Sequence, residues 1–252
     1  MRHPRRPFIL SVGSLLIIAI AGPLLGADEF TYHEASARAA GLGGAFVARA
    51  DDATALFYNP AGLAFLSGFR LKTNLLFGKR TVNAVLPGGS TYSSIPAEIE
   101  SANAISWQPF KGVSLGLGLF SPFSFKTRWP GSWDPGGSSR ISRARAVSIR
   151  PALAVELFRG FAVSVGMDIV SSSLTWSHNL YFNLPNYPLP EDVLVESRHV
   201  ASGRGLGFVA GALWKILPAV QVGARYQSRV NVDYAGDNVF FPFRGSAHFA
   251  VP

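Results

Sequence analysis

Side chains able to do chemistry are few in this chain, and their spacing argues against catalysis. The five histidines, His3, His33, His178, His199 and His248, are scattered. No HExxH, GxSxG or metal-ligand spacing occurs. His178 lies near Ser171, Ser172 and Ser173, but on one strand, whereas a barrel lipase needs the pair on adjacent strands. Gly203-Arg204-Gly205-Leu206-Gly207 has no helix after it, so it is no phosphate loop. Cysteine is absent, which excludes disulfides and thiolate metal sites. What remains is a set of charges at alternating positions: Arg150, Arg225 and Arg229, with Glu156, Asp168 and Asp233. Such a set forms either a cross-strand network that solvates an interior or a fork for a carboxylate head group. Neither reading requires a cofactor or a metal.

The elements that position these charges alternate with a period of two. From Val113 to Leu119 the odd positions are Val, Leu, Leu and Leu, separated by Ser114, Gly116 and Gly118. Similar alternation runs through 147–157 and 161–169. The longest case is 220–234. One face there carries Val220, Val222, Ala224, Tyr226, Val230, Val232 and Tyr234, and the other carries Gln221, Arg225, Gln227, Arg229, Asn231 and Asp233. A soluble sandwich and a membrane barrel both alternate in this way.

Connections separate the two. Short links at 109–112, 158–160 and 217–219 alternate strictly with long ones at 86–99, 123–142, 179–203 and 236–244. Outer-membrane barrels pair short periplasmic turns with long outer loops in this order. Aromatic residues mark strand ends: Trp107, Phe110, Phe158, Phe161 and Trp214 by the short turns, Phe120, Trp176 and Tyr234 by the long loops. They match interfacial girdles. About eight strands are expected, beginning near Gly68, Ser101, Val113, Arg143, Phe161, Gly205, Val220 and Gly245. Arg150, Asp168, Arg225 and Arg229 are expected to face inward, and Leu153, Val155, Val163, Val165, Val222 and Val232 outward.

The N-terminus reads as an export signal over residues 1–27. Arg2, Arg5 and Arg6 precede an apolar run at 8–25 broken by Gly13, Gly22 and Pro23. A transmembrane anchor is the competing reading, but it needs about 20 clean apolar residues. The chain is 48% hydrophobic, as a lipid-facing barrel must be. Its net charge is +8. Removing the three signal arginines leaves 20 Lys+Arg against 15 Asp+Glu, or +5. Export and the scatter of these charges exclude nucleic acid as a partner.

Residues 28–67 form a distinct unit. Gly41, Gly43 and Gly44 make a turn, Asp51 or Asp52 caps a short helix starting near Ala53, and Asn59-Pro60-Ala61 ends it, with Asn59 as a left-handed cap. By chemistry alone this is a helix terminator. With the export signal and the following strands, it resembles the N-terminal hatch of the FadL/TodX family, outer-membrane transporters of long-chain fatty acids and aromatic hydrocarbons. The resemblance implies an all-β fold: a transmembrane antiparallel barrel of the family's fourteen-strand type, entered by a small helical hatch. Residues 68–252 then cover about half of the barrel, and an incomplete, open or curled sheet is expected, with the hatch on its concave side. A C-terminal truncation is also expected.

The resemblance further implies a kinked third strand that opens the wall, here at Ser121, Pro122 and Phe123. It implies an outer landing groove in the apolar loop 179–197, with Tyr181, Phe182, Leu184 and Tyr187 as its candidates. Arg150, Arg225 and Arg229 become candidates for the lumenal path. The implied activity is passive uptake of hydrophobic small molecules across the bacterial outer membrane, by a lipid-embedded monomer. A general polar porin or structural barrel, and a soluble periplasmic sandwich, are the alternatives.

Overall fold

The computed structural model describes residues 35–79, 81–86, 88–95, 97–130, 139–182, 193–240 and 243–251. The signal segment lies outside these residues. Among the described residues, two four-residue helices, α1 (Ala37–Ala40) and α2 (Ala55–Tyr58), and a 3-10 helix (Pro60–Phe65) precede the strands. The strands are β1 (Phe69–Lys79), β2 (Val82–Val85), β3 (Thr91–Ser94), β4 (Ala97–Phe110), β5 (Val113–Phe120) and β6 (Ser124–Arg128). They continue as β7 (Ser139–Phe158), β8 (Phe161–Phe182), β9 (Val193–Leu217), β10 (Val220–Gln227), β11 (Val232–Phe240) and β12 (Phe243–Val251).

The sheet is an antiparallel meander, ordered β1-β4-β5-β7-β8-β9-β11-β12, with β6 on β7 and β10 on β9. It curls into a half-barrel, and no ladder joins β1 to β12 among the described residues. Counting β5 with β6, and β10 with β11, as interrupted passes gives the expected eight. The short turns fall at Gly112, Gly160 and residues 218–219, as alternation required.

The outer ends differ from expectation. Much of what reads as long loop is strand. Residues 82–94 form the β2–β3 hairpin, β8 runs to Phe182, and β11 and β12 leave only residues 241–242 between them. β7, β8 and β9 have 20, 22 and 25 residues, where about 9–11 cross a bilayer. The strands are longer than a crossing requires and stay paired along most of that length, which satisfies backbone groups as well as water does. Turn-type residues in these segments therefore did not mark where pairing ends.

Facing follows the pleat. Ala146, Ser148, Ala152, Ala154, Ala162, Ser164, Val209 and Leu213 are buried on the inner face. Leu115, Leu153, Val165, Leu206, Phe208 and Val222 are exposed on the outer, lipid-facing one. Val155 and Val163 share that face and are half-buried. Trp107, Phe110, Phe158 and Trp214 sit exposed near the periplasmic turns. Phe120 and Tyr234, expected in the outer girdle, are instead buried inward. Tyr234 donates its hydroxyl to Ser172 Oγ at 2.7 Å.

The run 220–234 is not one strand. Six steps from Gln227 to Asp233 oppose five from Val209 to Arg204. The extra residue lies in 228–231, and a one-residue insertion turns every later side chain to the opposite face. Gln227 thus faces inward with Arg225, yet so do Val232 and Tyr234, while Asp233 pairs with outward Arg204. Val232, expected toward lipid, packs with Ala201 and Tyr234.

The core lies between the N-terminal segment and the inner face of the sheet. Phe46, Leu56, Leu63 and Phe120 are fully buried there, with small inner residues such as Ala104 and Ala154. Small residues on the strands let the helices approach closely. An added Cβ on Gly116 would lie 2.6 Å from Leu56.

Candidate functional site: a pinned N-terminal segment beside a gap in the wall

Asn59 ties the N-terminal segment to the wall. Pro60 follows it, and a residue before proline is pushed from helical to extended backbone. Asn59 accordingly has φ −162° and ψ 96°, not the left-handed cap expected from its type. It ends α2 and caps the 3-10 helix, accepting from Ala61 N at 3.2 Å. Its Nδ2 donates to Val47 O at 2.9 Å and to Ala212 O of β9 at 2.9 Å. Gly211 makes the approach feasible, since an added Cβ there would lie 2.2 Å from Asn59 Oδ1.

The remaining motif residues shape the entry to this segment. Gly41 caps α1 with right-handed backbone, while Gly43 and Gly44 take φ 62° and 79°, which favours glycine. Pro60 and Ala61 are buried at the start of the 3-10 helix. The helix α2 starts at Ala55, later than expected. Asp52 accepts from Thr54 N at 2.8 Å and from the Thr54 hydroxyl, which closes a turn ahead of the helix. Asp51 instead pairs with Arg38 and Arg49.

A second tie comes from Arg150. Its Nε and Nη2 reach both oxygens of Asp168, at 2.6 and 2.8 Å. Its Nη1 donates to the carbonyls of Leu56 and Phe57, at 3.0 and 3.2 Å. Those carbonyls end α2, where a cation is favoured. Both charges are nearly fully buried. Ser148 Oγ and Gln227 Nε2 also donate to Asp168, and Arg225 donates to Gln227. Arg150 and Arg225 lie over the Phe57 ring, at 5.8 and 5.9 Å from its centroid. This inner cluster has two cations for one carboxylate, set among aromatic rings. Arg225 Nε is buried without a hydrogen-bond partner among the described residues.

Arg229 does not join it. The insertion at 228–231 turns it outward, to the edge of a groove of about 800 Å³ on the lipid-facing side with Leu153, Val165, Leu206 and Phe208. Of the three arginines read as inward, two meet and one is excluded by a register shift that alternation could not reveal.

Ser121, Pro122 and Phe123 interrupt the wall. β5 pairs with β7 up to Phe120↔Ser148, and β6 resumes at Ser124↔Arg145. Four steps oppose three, again an insertion. Ser121 Oγ donates to Ala146 O at 3.1 Å and Ala146 N to Phe123 O at 3.0 Å, so β7 still holds this side. On the other side the β4–β5 ladder ends at Asn103↔Leu119. Ala97 to Ala102 of β4 pair with β1, and β6 pairs with β7. Among the described residues no backbone bond joins that part of β4 to residues 121–128. The gap is bridged at its outer end by Arg128 N donating to Ser94 Oγ at 2.7 Å. A slot of about 10 Å³ marks it, lined by Ala35, Phe57, Glu100, Phe120 and Ser121. The N-terminal segment thus contributes Ala35 and Phe57 to the closure of the gap. The sequence reading found the break but missed β4 as its other bank, and missed Glu100, a buried carboxylate whose Oε2 has no partner among the described residues.

Tyr181 and Phe182, read as loop, end β8 opposite Leu194 and Val193. Leu184 and Tyr187 lie outside the described residues. Sequence reasoning also missed Ser197, whose Oγ lies 3.0 Å from His199 Nε2. That hydroxyl is fully buried, so it is a packing contact rather than an accessible nucleophile.

Comparisons with known proteins agree with this architecture. The chain is 21% identical over 267 residues to outer membrane protein P1 of Haemophilus influenzae, covering 88% of this chain and 58% of that protein. Its fold is similar to a Pseudomonas aeruginosa FadL homologue, with TM-score 0.60 and 16% identity over 77% of this chain and 51% of the other. It is likewise similar to the Ralstonia pickettii toluene transporter TbuX, with TM-score 0.60 and 17% identity over 79% and 60%. The chain therefore spans between half and three-fifths of the length of these relatives. The profile of the outer membrane protein transport protein family (OMPP1/FadL/TodX) matches residues 24–240, and with the meander, the lipid-facing apolar wall and the packed N-terminal segment it follows that this chain belongs to that family of bacterial outer-membrane β-barrels.

Proposed function

We propose that the chain forms the gated half of a passive channel for hydrophobic small molecules, such as long-chain fatty acids or aromatic hydrocarbons. Residues 28–67 act as the hatch, and the break at Ser121, Pro122 and Phe123 is the exit through the wall. The observation that carries this reading is the unpaired stretch between β4 and β6, closed from inside by Ala35 and Phe57. A closed polar porin has no use for a gap in its wall, since unpaired backbone facing lipid costs several kcal/mol per group, of the order of 4–8. An apolar solute gains about 25 cal/mol per Å² on leaving water. It can therefore cross such a gap into the bilayer without ATP and without a cofactor. Arg150 is committed to the hatch. Arg225, with its unpartnered Nε, is the candidate to meet a carboxylate head group. Arg229, on the lipid face, is not proposed for the lumenal path.

Deleting Pro122 removes the inserted residue and lets β6 continue the β5 ladder. In the full-length protein, uptake of labelled palmitate and toluene is expected to fall at least fivefold, with normal amounts of heat-modifiable barrel in the outer membrane. Unchanged uptake rejects the wall exit. Uptake of small polar solutes alone by the unmodified protein supports the porin instead.

A further inference from the structure

Four cations stand together on the lipid-side face of the wall, on β6 and β7. Arg143 and Arg145 are exposed and alternate with the inward Ala144 and Ala146. Lys126 pairs with Arg143 across the ladder and so shares that face, and Arg128 lies one pleat further along β6. Like charges directly opposite one another destabilise a sheet, so the pair calls for a counter-anion. Among the described residues no carboxylate reaches any of the four within ion-pair distance. On β8, Thr175 and Ser173 pair with Arg143 and Arg145 and add hydroxyl donors beside them. Arg204, further round the wall on β9, differs in having Asp233 opposite it.

Position along the strand says which anion. Between the short turn and these cations, the outward residues of β7 are Leu157, Val155, Leu153, Pro151, Ile149 and Val147. Residues 147–157 are eleven positions, and about 9–11 cross a bilayer. Arg145 is the next outward residue. The short turns mark the periplasmic ends, so the cations begin where the apolar wall meets the head groups of the outer leaflet. We propose that this surface binds a phosphorylated, multiply acylated glycolipid of the outer leaflet. Its phosphates lie on the four cations, and its acyl chains lie on Val147 and on the paired, exposed Ile149 and Ile169 below them. Charge is the first argument. A phosphate monoester carries about −1.5 to −2 at neutral pH, so two on one molecule carry about −3 to −4 and balance four cations. A phosphodiester lipid brings a single negative charge. Geometry is the second, since the planar arginine fork matches phosphate oxygens bidentately. Amphipathy is the third. A free anion leaves the apolar rows below unused, whereas an acylated one covers them. Such binding is independent of what passes through the channel.

Native mass spectrometry of the full-length, detergent-solubilised protein tests this, with bisphosphorylated lipid A as the probe. The unmodified protein should bind it saturably, and should bind monophosphorylated lipid A and phosphatidylglycerol at least about fivefold more weakly. Arg143→Gln with Arg145→Gln should weaken bisphosphorylated lipid A binding at least about tenfold, the scale of two lost charge-assisted contacts. Arg143→Lys with Arg145→Lys keeps the charge and should lose less, about threefold. Lys111→Gln with Arg159→Gln removes two exposed cations at the short turns and should stay within about twofold. Heat-modifiable migration of each variant confirms a folded barrel. The site is overturned if the unmodified protein binds no lipid A saturably, or if phosphatidylglycerol binds as tightly, which reduces the surface to general attraction for anionic lipid. It is also overturned if the 143/145 glutamine variant binds like the unmodified protein, if the 111/159 variant weakens equally, or if millimolar inorganic phosphate displaces the lipid, which makes it a site for a free anion.

Discussion

Replacing Asn59 by Ala should loosen the N-terminal segment without unfolding the barrel. The side chain makes three hydrogen bonds, to Val47 O, Ala212 O and Ala61 N, and is fully buried. Each such bond is worth about 1 kcal/mol net, and a buried group left unpaired costs about 1–3 kcal/mol. The whole loss is therefore about 3–4 kcal/mol. Two of the three bonds are internal to the segment. Only the bond to Ala212 crosses to the wall, so the part that changes docking is about 1–2 kcal/mol. That raises the undocked population by a factor of about 5–30. Two assays read it in the full-length protein. Amide hydrogen exchange of residues 35–66 should quicken by that factor, while strands β7 to β9 keep their protection. Uptake of a labelled hydrophobic substrate should change, with unaltered barrel abundance. Gly211→Ala should reproduce the effect from the other side, because its Cβ would occupy the space of Asn59 Oδ1. If exchange and uptake in Asn59→Ala match the unmodified protein, Asn59 is a helix terminator only and the tie to Ala212 carries no gating role.

Other outcomes follow from the same geometry. Asp168→Asn should destabilise the assembly by about 3–5 kcal/mol, as removal of one partner strands a buried Arg150; the check is the urea midpoint of folded barrel on gels. Because the chain lacks cysteine, Arg225→Cys and Arg229→Cys can each carry a single spin label. The label at 229 should show oxygen-enhanced relaxation typical of lipid exposure and the label at 225 should not; equal values would remove the register shift at 228–231. Tyr234→Phe should cost about 1 kcal/mol through loss of the bond to Ser172, seen as a lower midpoint with unchanged uptake.

Much of the site could be read from local residue types. The alternation of 113–119 and 147–157 determined which side chains share a face, because a strand has a period of two whatever surrounds it. Proline at 122 announced a break, because it lacks a ladder donor wherever it stands. Arg150 and Asp168 were legible as inward charges for the same reason. Gly43 and Gly44 marked a turn, since positive φ favours glycine on steric grounds.

Tertiary structure decided the rest. The insertion at 228–231 reversed Arg229 and Val232, because register depends on how β9 pairs with both flanking segments and not on the run itself. Whether the break at Pro122 interrupts both neighbouring ladders depended on β4, whose pairing is set by residues distant in sequence. Asn59 looked like a left-handed cap by its type. Its backbone was set by Pro60 and its side chain by Ala212, which lies 153 positions away. Local chemistry chose the elements and their faces; hydrogen bonds and close approaches between remote segments chose which of those faces meet.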